Sequence, residues 1–248
     1  MSVTAEASVG ELVVERPSRA RVFEKLGIDY CCGGKKPLQQ ACRERNLDYP
    51  AVVSQLEQEQ AAEPAQGERN WASASVTDLC DHIEQTHHQY LKQELPRLEF
   101  LTTKVAARHG DARPALVEVR RVFAELKAEM DAHMVKEERV LFPLCRRLDA
   151  AEELPAMHCG SVGNPIEVMI REHEHAGDAV ARIRALTDNY TCPPDACNTY
   201  RALFDALEHL ERDLHEHVHK ENNILFPKAI RLEKLLAREP SYRRAAGG

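Results

Sequence analysis

Two histidine–glutamate pairs stand out as residues able to do chemistry. His133 and Glu137 lie four positions apart, as do His217 and Glu221, and each pair runs on into a Leu-Phe-Pro triplet, Leu141-Phe142-Pro143 and Leu225-Phe226-Pro227. A spacing of i, i+4 puts both side chains of a pair on one face of a helix. That face is the apolar one. Leu116, Val119, Phe123, Leu126 and Met130 step by three and four into His133, Glu137, Val140 and Leu144, and Leu203, Leu207, Leu210 and Leu214 lead to His217, Glu221 and Ile224. An imidazole and a carboxylate are costly to bury unless something compensates them, and a metal cation compensates both at once. The pairs are also copies, 84 positions apart (217 − 133 and 221 − 137). A duplicated helix pair predicts a matching histidine on each of the two preceding helices. His88 and His173, 85 positions apart (173 − 88), fill those places, and His173 follows Ile166 and Met169 on its own seam, away from which His175 points.

Around position 88 the periodicity is ambiguous. His87 continues the upstream seam of Leu79 and Ile83, whereas His88 continues the downstream seam of Leu91, Leu95 and Leu98; the repeat offset favours His88. The set His88, His133, Glu137, His173, His217 and Glu221 offers each of two cations two imidazoles and a share in two bridging carboxylates, which leaves a solvent bridge and an open position. Imidazole is a good ligand for iron. Structural zinc more often recruits cysteine, and no H-E-x-x-H of a zinc protease is present.

Four long helices must hold these residues. The sequence predicts them from about Ser75 to Ala107, with Ser75 and Asp78 as a capping pattern, from Pro114 to Leu148, from Asn164-Pro165 to Thr187, and from Asp195 past Leu235. No strand pattern competes, and short connections point to an antiparallel bundle. The expected class is all-α: a four-helix bundle over 74–240, a linker over 61–73 within which Ala61–Asn70 is polar and contains Pro and Gly, and a small helical unit over 1–60. In that unit Pro17 opens a helix ending at Leu26 and Gly27, the loop Asp29-Tyr30-Cys31-Cys32-Gly33-Gly34 follows, and further helices start near Pro37 and Pro50. Cys31 and Cys32 are read as a thiol pair with a reactive, iron-binding or docking role, against inert packing.

The remaining chemistry-bearing residues take blander readings. His82, His109, His158, His209, His215 and His219 are assigned to the surface, Glu138 to a position off the seam, and Glu84 either to a supporting place beside His88 or to solvent. Cys42, Cys80, Cys145 and Cys159 are read as packing or incidental residues, and Cys192 and Cys197 receive no role.

The chain has 248 residues, 43% hydrophobic and 29% charged, with a net charge of −7. The acidic balance and the lack of a basic cluster argue against a nucleic-acid partner. No apolar run reaches the roughly 20 residues a membrane-spanning helix needs, and the start shows no secretory leader, so a cytoplasmic protein without a membrane partner is expected.

The paired H-x-x-x-E…L-F-P motifs with single histidines on the other two helices resemble the hemerythrin-like fold. Joined to the Asp29–Gly34 loop, Gly10-Glu11-Leu12, Trp71 and Glu221-Asn222-Asn223, they resemble the iron–sulfur cluster repair family over nearly the whole chain. The resemblance implies that His88, His133, His173 and His217 bind two iron ions bridged by Glu137, Glu221 and solvent, and that Cys31 and Cys32 assist the reaction. It implies damaged iron–sulfur proteins and nitric oxide as partners, with a homodimer as one possible assembly. Such a protein need not be a turnover enzyme. The competing expectations are a nitric oxide or oxygen sink and an oxidoreductase acting on nitrogen oxides or peroxide.

Overall fold

The computed structural model describes residues 3–61 and 70–246, and within them eight helical segments and no named strand. The first four are short: α1 (Val9–Glu15), α2 (Arg19–Leu26), α3 (Leu38–Glu44) and α4 (Tyr49–Ala61). The other four are long: α5 (76–109), α6 (115–149), α7 (Gly163–Leu186) and α8 (198–246). Most of the expected linker, residues 62–69, lies outside the described residues; Asn70 onward is described. Asn70 accepts the Ala72 N–H at 3.0 Å and opens a 3-10 turn, Trp71–Ser73.

Local chemistry explains the ends. Ser75 Oγ accepts the Asp78 N–H at 3.0 Å and starts α5. Gly27 terminates α2 in the left-handed conformation, φ 67°, which glycine adopts without a Cβ penalty. The sequence reading passed over α1, although its signature is present. Ser8 Oγ accepts the Glu11 N–H while Glu11 Oε2 accepts the Ser8 N–H, both at 3.3 Å.

Three of the long helices contain one π-helical turn each: Glu84–His88 in α5, Glu137–Leu141 in α6 and Glu221–Leu225 in α8. A π turn inserts a residue into the helical repeat and slips the apolar seam by about one position. Val140, expected on the seam of α6, is therefore 56% exposed, while Leu141 and Phe142 are buried in its place. In α5 the same slip turns both His87 and His88 inward.

The bundle interior divides into two apolar clusters. One contains Leu91, Leu98, Phe123, Leu126, Val180 and Leu207; the other contains Leu79, Ile83, Phe142, Leu148, Ile166 and Leu225. α5 and α7 run from the second cluster to the first, and α6 and α8 run back, so the bundle is antiparallel. The histidines and glutamates of interest occupy the layer where the four helices pass between the clusters.

The N-terminal helices form a third cluster, built on Val9, Phe23, Tyr30, Leu38 and Leu56, and it reaches α8 through Val218. Asn223 is the clasp. Its Nδ2 donates to the carbonyls of Tyr30 and Cys31 at 3.3 and 3.2 Å. Gly10 and Gly34 close around it, and the Gly10 N–H donates to Gly34 O at 2.8 Å. A Cβ on Gly10 would come within 2.5 Å of Asn223 Oδ1, and one on Gly34 within 2.8 Å of Tyr30 O. Because a backbone oxygen cannot yield, Gly34→Ala is expected to destabilise the chain by about 1–3 kcal/mol, with loosening confined to the 29–34 loop. Urea unfolding together with hydrogen exchange on that loop checks this.

Candidate metal centre

All six residues singled out from the sequence converge in the layer between the two apolar clusters. His88, Glu137, His217 and Glu221 form one group of potential ligands and His133, Glu137, His173 and Glu221 a second, with the donor atoms of each group within 4.8 Å of one another. Both glutamates belong to both groups, as bridging ligands must. None of the six is more than 1% exposed.

The orientation of the rings shows what this layer is built to hold. His133 Nδ1 faces Glu172 Oε2, His173 Nδ1 faces Asn222 Oδ1 and His88 Nδ1 faces Glu138 Oε1, each at 2.9 Å. An imidazole that donates through Nδ1 carries a lone pair at Nε2. Yet His133 Nε2 and His173 Nε2 point at each other across 3.2 Å. Glu137 Oε2 sits 3.3 Å from His88 Nε2 and 3.2 Å from His133 Nε2 without a hydrogen bond to either. Glu221 Oε2 is likewise 3.0 Å from His173 Nε2 and makes no hydrogen bond. Such separations are the ones expected between ligands sharing a cation at about 2.0–2.2 Å. Lone pairs converging at this range in a dry interior repel unless a proton or a metal cation lies among them. The donor set thus fits a metal centre.

Titration follows the same charge balance. Burial works to raise the carboxyls of Glu137 and Glu221, but the surrounding imidazoles outweigh it and hold both below the usual carboxylate range. Burial also works against a charged His133; the neighbouring Glu137 outweighs it and raises that imidazole to about 9.

Comparison with known proteins agrees with this geometry. The hemerythrin HHE cation binding domain matches residues 79–229, and ScdA_N, described as a domain of unknown function (DUF542), matches 5–60. The iron–sulfur cluster repair protein YtfE of Musicola paradisiaca is 36% identical over 228 residues, covering 92% of this chain and 98% of that protein. YtfE of Edwardsiella ictaluri is 39% identical and YtfE of Citrobacter koseri 35% identical, each over 222 residues that cover 90% of this chain and 96% of the relative. The chain belongs to the iron–sulfur cluster repair family. In this member the hemerythrin-like domain buries histidines and glutamates in two groups that could each hold a metal ion.

Sequence reasoning missed the residues that orient the rings. Glu138 and Asn222 directly follow the two inward glutamates, and they are themselves 84 positions apart (222 − 138), so the duplication signalled them. Each lies off the seam on its own helix and reaches the histidine of a neighbouring one. Glu172, beside His173, serves His133 and is held in turn by Lys136; Lys92 binds Glu138 at 2.6 Å. The position matching Glu172 on α5 is His87 (172 − 85), and there the symmetry breaks. His87 Nδ1 donates to Asp213 at 2.8 Å, its Nε2 accepts from Lys220 at 2.7 Å, and its ring stacks on His217 at 5.3 Å. His217 Nδ1 is buried with no hydrogen bond. Burial, then the Lys220 ammonium, lowers His87 to about 3. Glu84 pairs with Arg146 at 2.8 Å.

Two surface assignments fail because the docked N-terminal unit covers α8. His219 is only 6% exposed, with its Nδ1 3.4 Å from Tyr30 O, and His215 is half-buried beside the Tyr30 ring. His82 is half-buried too, stacked on Trp71 at 3.8 Å. His158, His175 and His209 are exposed as expected. Cys42, Cys80 and Cys145 are buried in apolar clusters. Cys159 and Cys192 are half-buried, and Cys197 is exposed.

Cys31 is buried and Cys32 half-buried, with their sulfurs 4.0 Å apart. Cys32 as a hydrogen-bond partner, then burial, then the Asp29 carboxylate raise the Cys31 thiol well above its ordinary range. Cys31 Sγ donates to Asp29 Oδ1 at 3.2 Å.

Two outcomes follow. Glu138→Gln and Glu172→Gln should each weaken metal retention about 10–100-fold with the fold intact, as read by chelator competition and metal content per chain. Burial lowers His219 to about 4, so its stabilising neutral form is favoured in the fold. The unfolded chain binds the proton first, and this contribution is lost as pH falls from about 6.5 toward about 4, by at most about 1.4 kcal/mol per pH unit. The stability advantage of the native chain over His219→Gln should shrink over that window in urea unfolding.

Proposed function

We propose that this chain restores iron–sulfur clusters damaged by nitric oxide or oxidative stress, using two iron ions held in the bundle. In this reading His88 and His217 serve one ion and His133 and His173 the other, with Glu137 and Glu221 shared. Bound there, iron supplies redox chemistry and an open coordination position for a small ligand. The protein's own groups do the rest. Glu138, Glu172 and Asn222 fix which imidazole nitrogen faces inward, and the two apolar clusters keep bulk water from the ligands.

The observation that carries the reading is the facing pair of Nε2 atoms of His133 and His173, 3.2 Å apart and flanked by shared carboxylates, in a chain whose relatives are named iron–sulfur cluster repair proteins. The His-rich ligand set favours iron of the hemerythrin-like type over zinc. The division of labour is part of the proposal: residues 1–60 form the thiol-bearing unit and 74–240 the metal bundle. Among the described residues no helix is long and apolar enough to cross a membrane.

An iron–sulfur dehydratase inactivated by nitric oxide provides the test. The iron-loaded chain should restore its activity beyond what matched free iron(II) and thiol achieve, and Glu221→Ala should abolish the gain together with iron content. Binding of nitric oxide without any such gain would instead make the chain a sink for the gas.

A further inference from the structure

The loop bearing the two cysteines is organised around one carboxylate. Asp29 Oδ1 accepts the backbone N–H groups of Cys31 at 2.9 Å and Cys32 at 3.0 Å, and Oδ2 accepts that of Gly33 at 2.8 Å. Its position is therefore fixed before any ligand arrives. Cys31 Sγ lies 3.2 Å from Asp29 Oδ1 and 4.0 Å from Cys32 Sγ. Asn223 clamps the loop from behind through the Tyr30 and Cys31 carbonyls.

These separations match those of donors around a single ion. Two thiolates bound at about 2.3 Å on a tetrahedral centre stand about 3.8 Å apart, and a thiolate and a carboxylate oxygen about 3.1–3.6 Å apart. A disulfide would need the sulfurs at about 2.05 Å. Asp29, Cys31 and Cys32 have donor atoms all within 4.8 Å of one another. They line a cleft of about 760 Å³ together with Glu174, Gly177 and His215.

We propose that Asp29, Cys31 and Cys32 form a second metal site, distinct from the bundle centre, which binds one thiophilic divalent cation of the zinc, cobalt(II) or iron(II) type. On binding, two S–H bonds break and two metal–sulfur bonds form. Two protons leave to solvent, and no electron moves. The fourth coordination position faces the cleft. Three protein ligands with an open position make an exchanging site, in contrast to the closed four-ligand shell of structural zinc. Cys32 Sγ is 3.4 Å from the carbonyl oxygen of His173, so the site rests against the backbone of a bundle ligand. That contact suits a staging point for iron passing between bundle and client, a use that rests on the repair reading; cation binding itself does not.

The test uses the full-length chain with its bundle already loaded with iron, titrated with Co²⁺ under anaerobic, reducing conditions. One further equivalent should bind and produce a thiolate-to-cobalt charge-transfer band. Cys31→Ser/Cys32→Ser should lack the band while holding the wild-type amount of bundle iron. A wild-type chain without the band, or a band that survives in the variant, overturns the proposal. Alkylation of the unaltered chain gives a readout independent of how the variant packs. Zn²⁺ should slow iodoacetamide modification of Cys31 and Cys32 at least tenfold and leave exposed Cys197 unaffected, whereas equal rates would overturn the site. Client reactivation without band or protection refutes this site and leaves the bundle reading intact; band and protection without reactivation do the reverse.

Discussion

The rest of the structure depends on one unfavourable juxtaposition: nitrogen lone pairs and carboxylate oxygens aimed at each other across about 3 Å, in a layer from which water is excluded. Without a proton or a metal cation among the donors, it opposes folding; a cation placed there turns the repulsion into attraction. The apolar clusters above and below are what make the arrangement consequential, since the same six side chains in water would be screened and free to turn away. The outer carboxylates matter for the same reason. By fixing Nδ1–H of His88 and His133 they deny those two rings the easy escape of flipping to another tautomer.

The fold and the convergence of the six histidines and glutamates were legible in the sequence because polar residues on an apolar seam contradict the hydrophobic pattern, and because the contradiction occurs twice at one offset. What stayed illegible has physical causes. The ambiguity between His87 and His88 was itself a trace of the π turn at 84–88: both seams were real, and a residue inserted between them joined one to the other. The same insertion displaced Val140 to the surface, because a strict 3.6-residue step cannot anticipate a local 4.4-residue turn. Glu138, Glu172 and Asn222 escaped notice because each acts across a helix–helix boundary, where spacing along one helix carries no information. His219 was misplaced because its burial depends on a separate part of the chain docking over α8. α1 was missed because seven residues are too few to show a periodicity, and only its capping box spoke for it.

The duplication gives the centre approximate two-fold character, and its departures are informative. Glu138 and Asn222 repeat the same task with different acceptors, one ionic and one neutral, so His88 and His173 face partners of different charge. Where α7 supplies Glu172, α5 supplies His87, which turns to Asp213 and Lys220 and offers His217 a ring face in place of an oxygen. His217 is thus supported by stacking, and His133 by a charged hydrogen bond.

The clasp between Asn223 and the cysteine loop joins positions 192 and 193 residues apart. Chains emerge from the ribosome N-terminus first, so the N-terminal helices can assemble long before their cover exists. Until α7 and α8 have been made, Cys32 lacks the His173 carbonyl beside it and the Cys31 carbonyl lacks its Asn223 donor. For most of its elongation a nascent chain therefore carries this dithiol without the bundle faces that later pack on it.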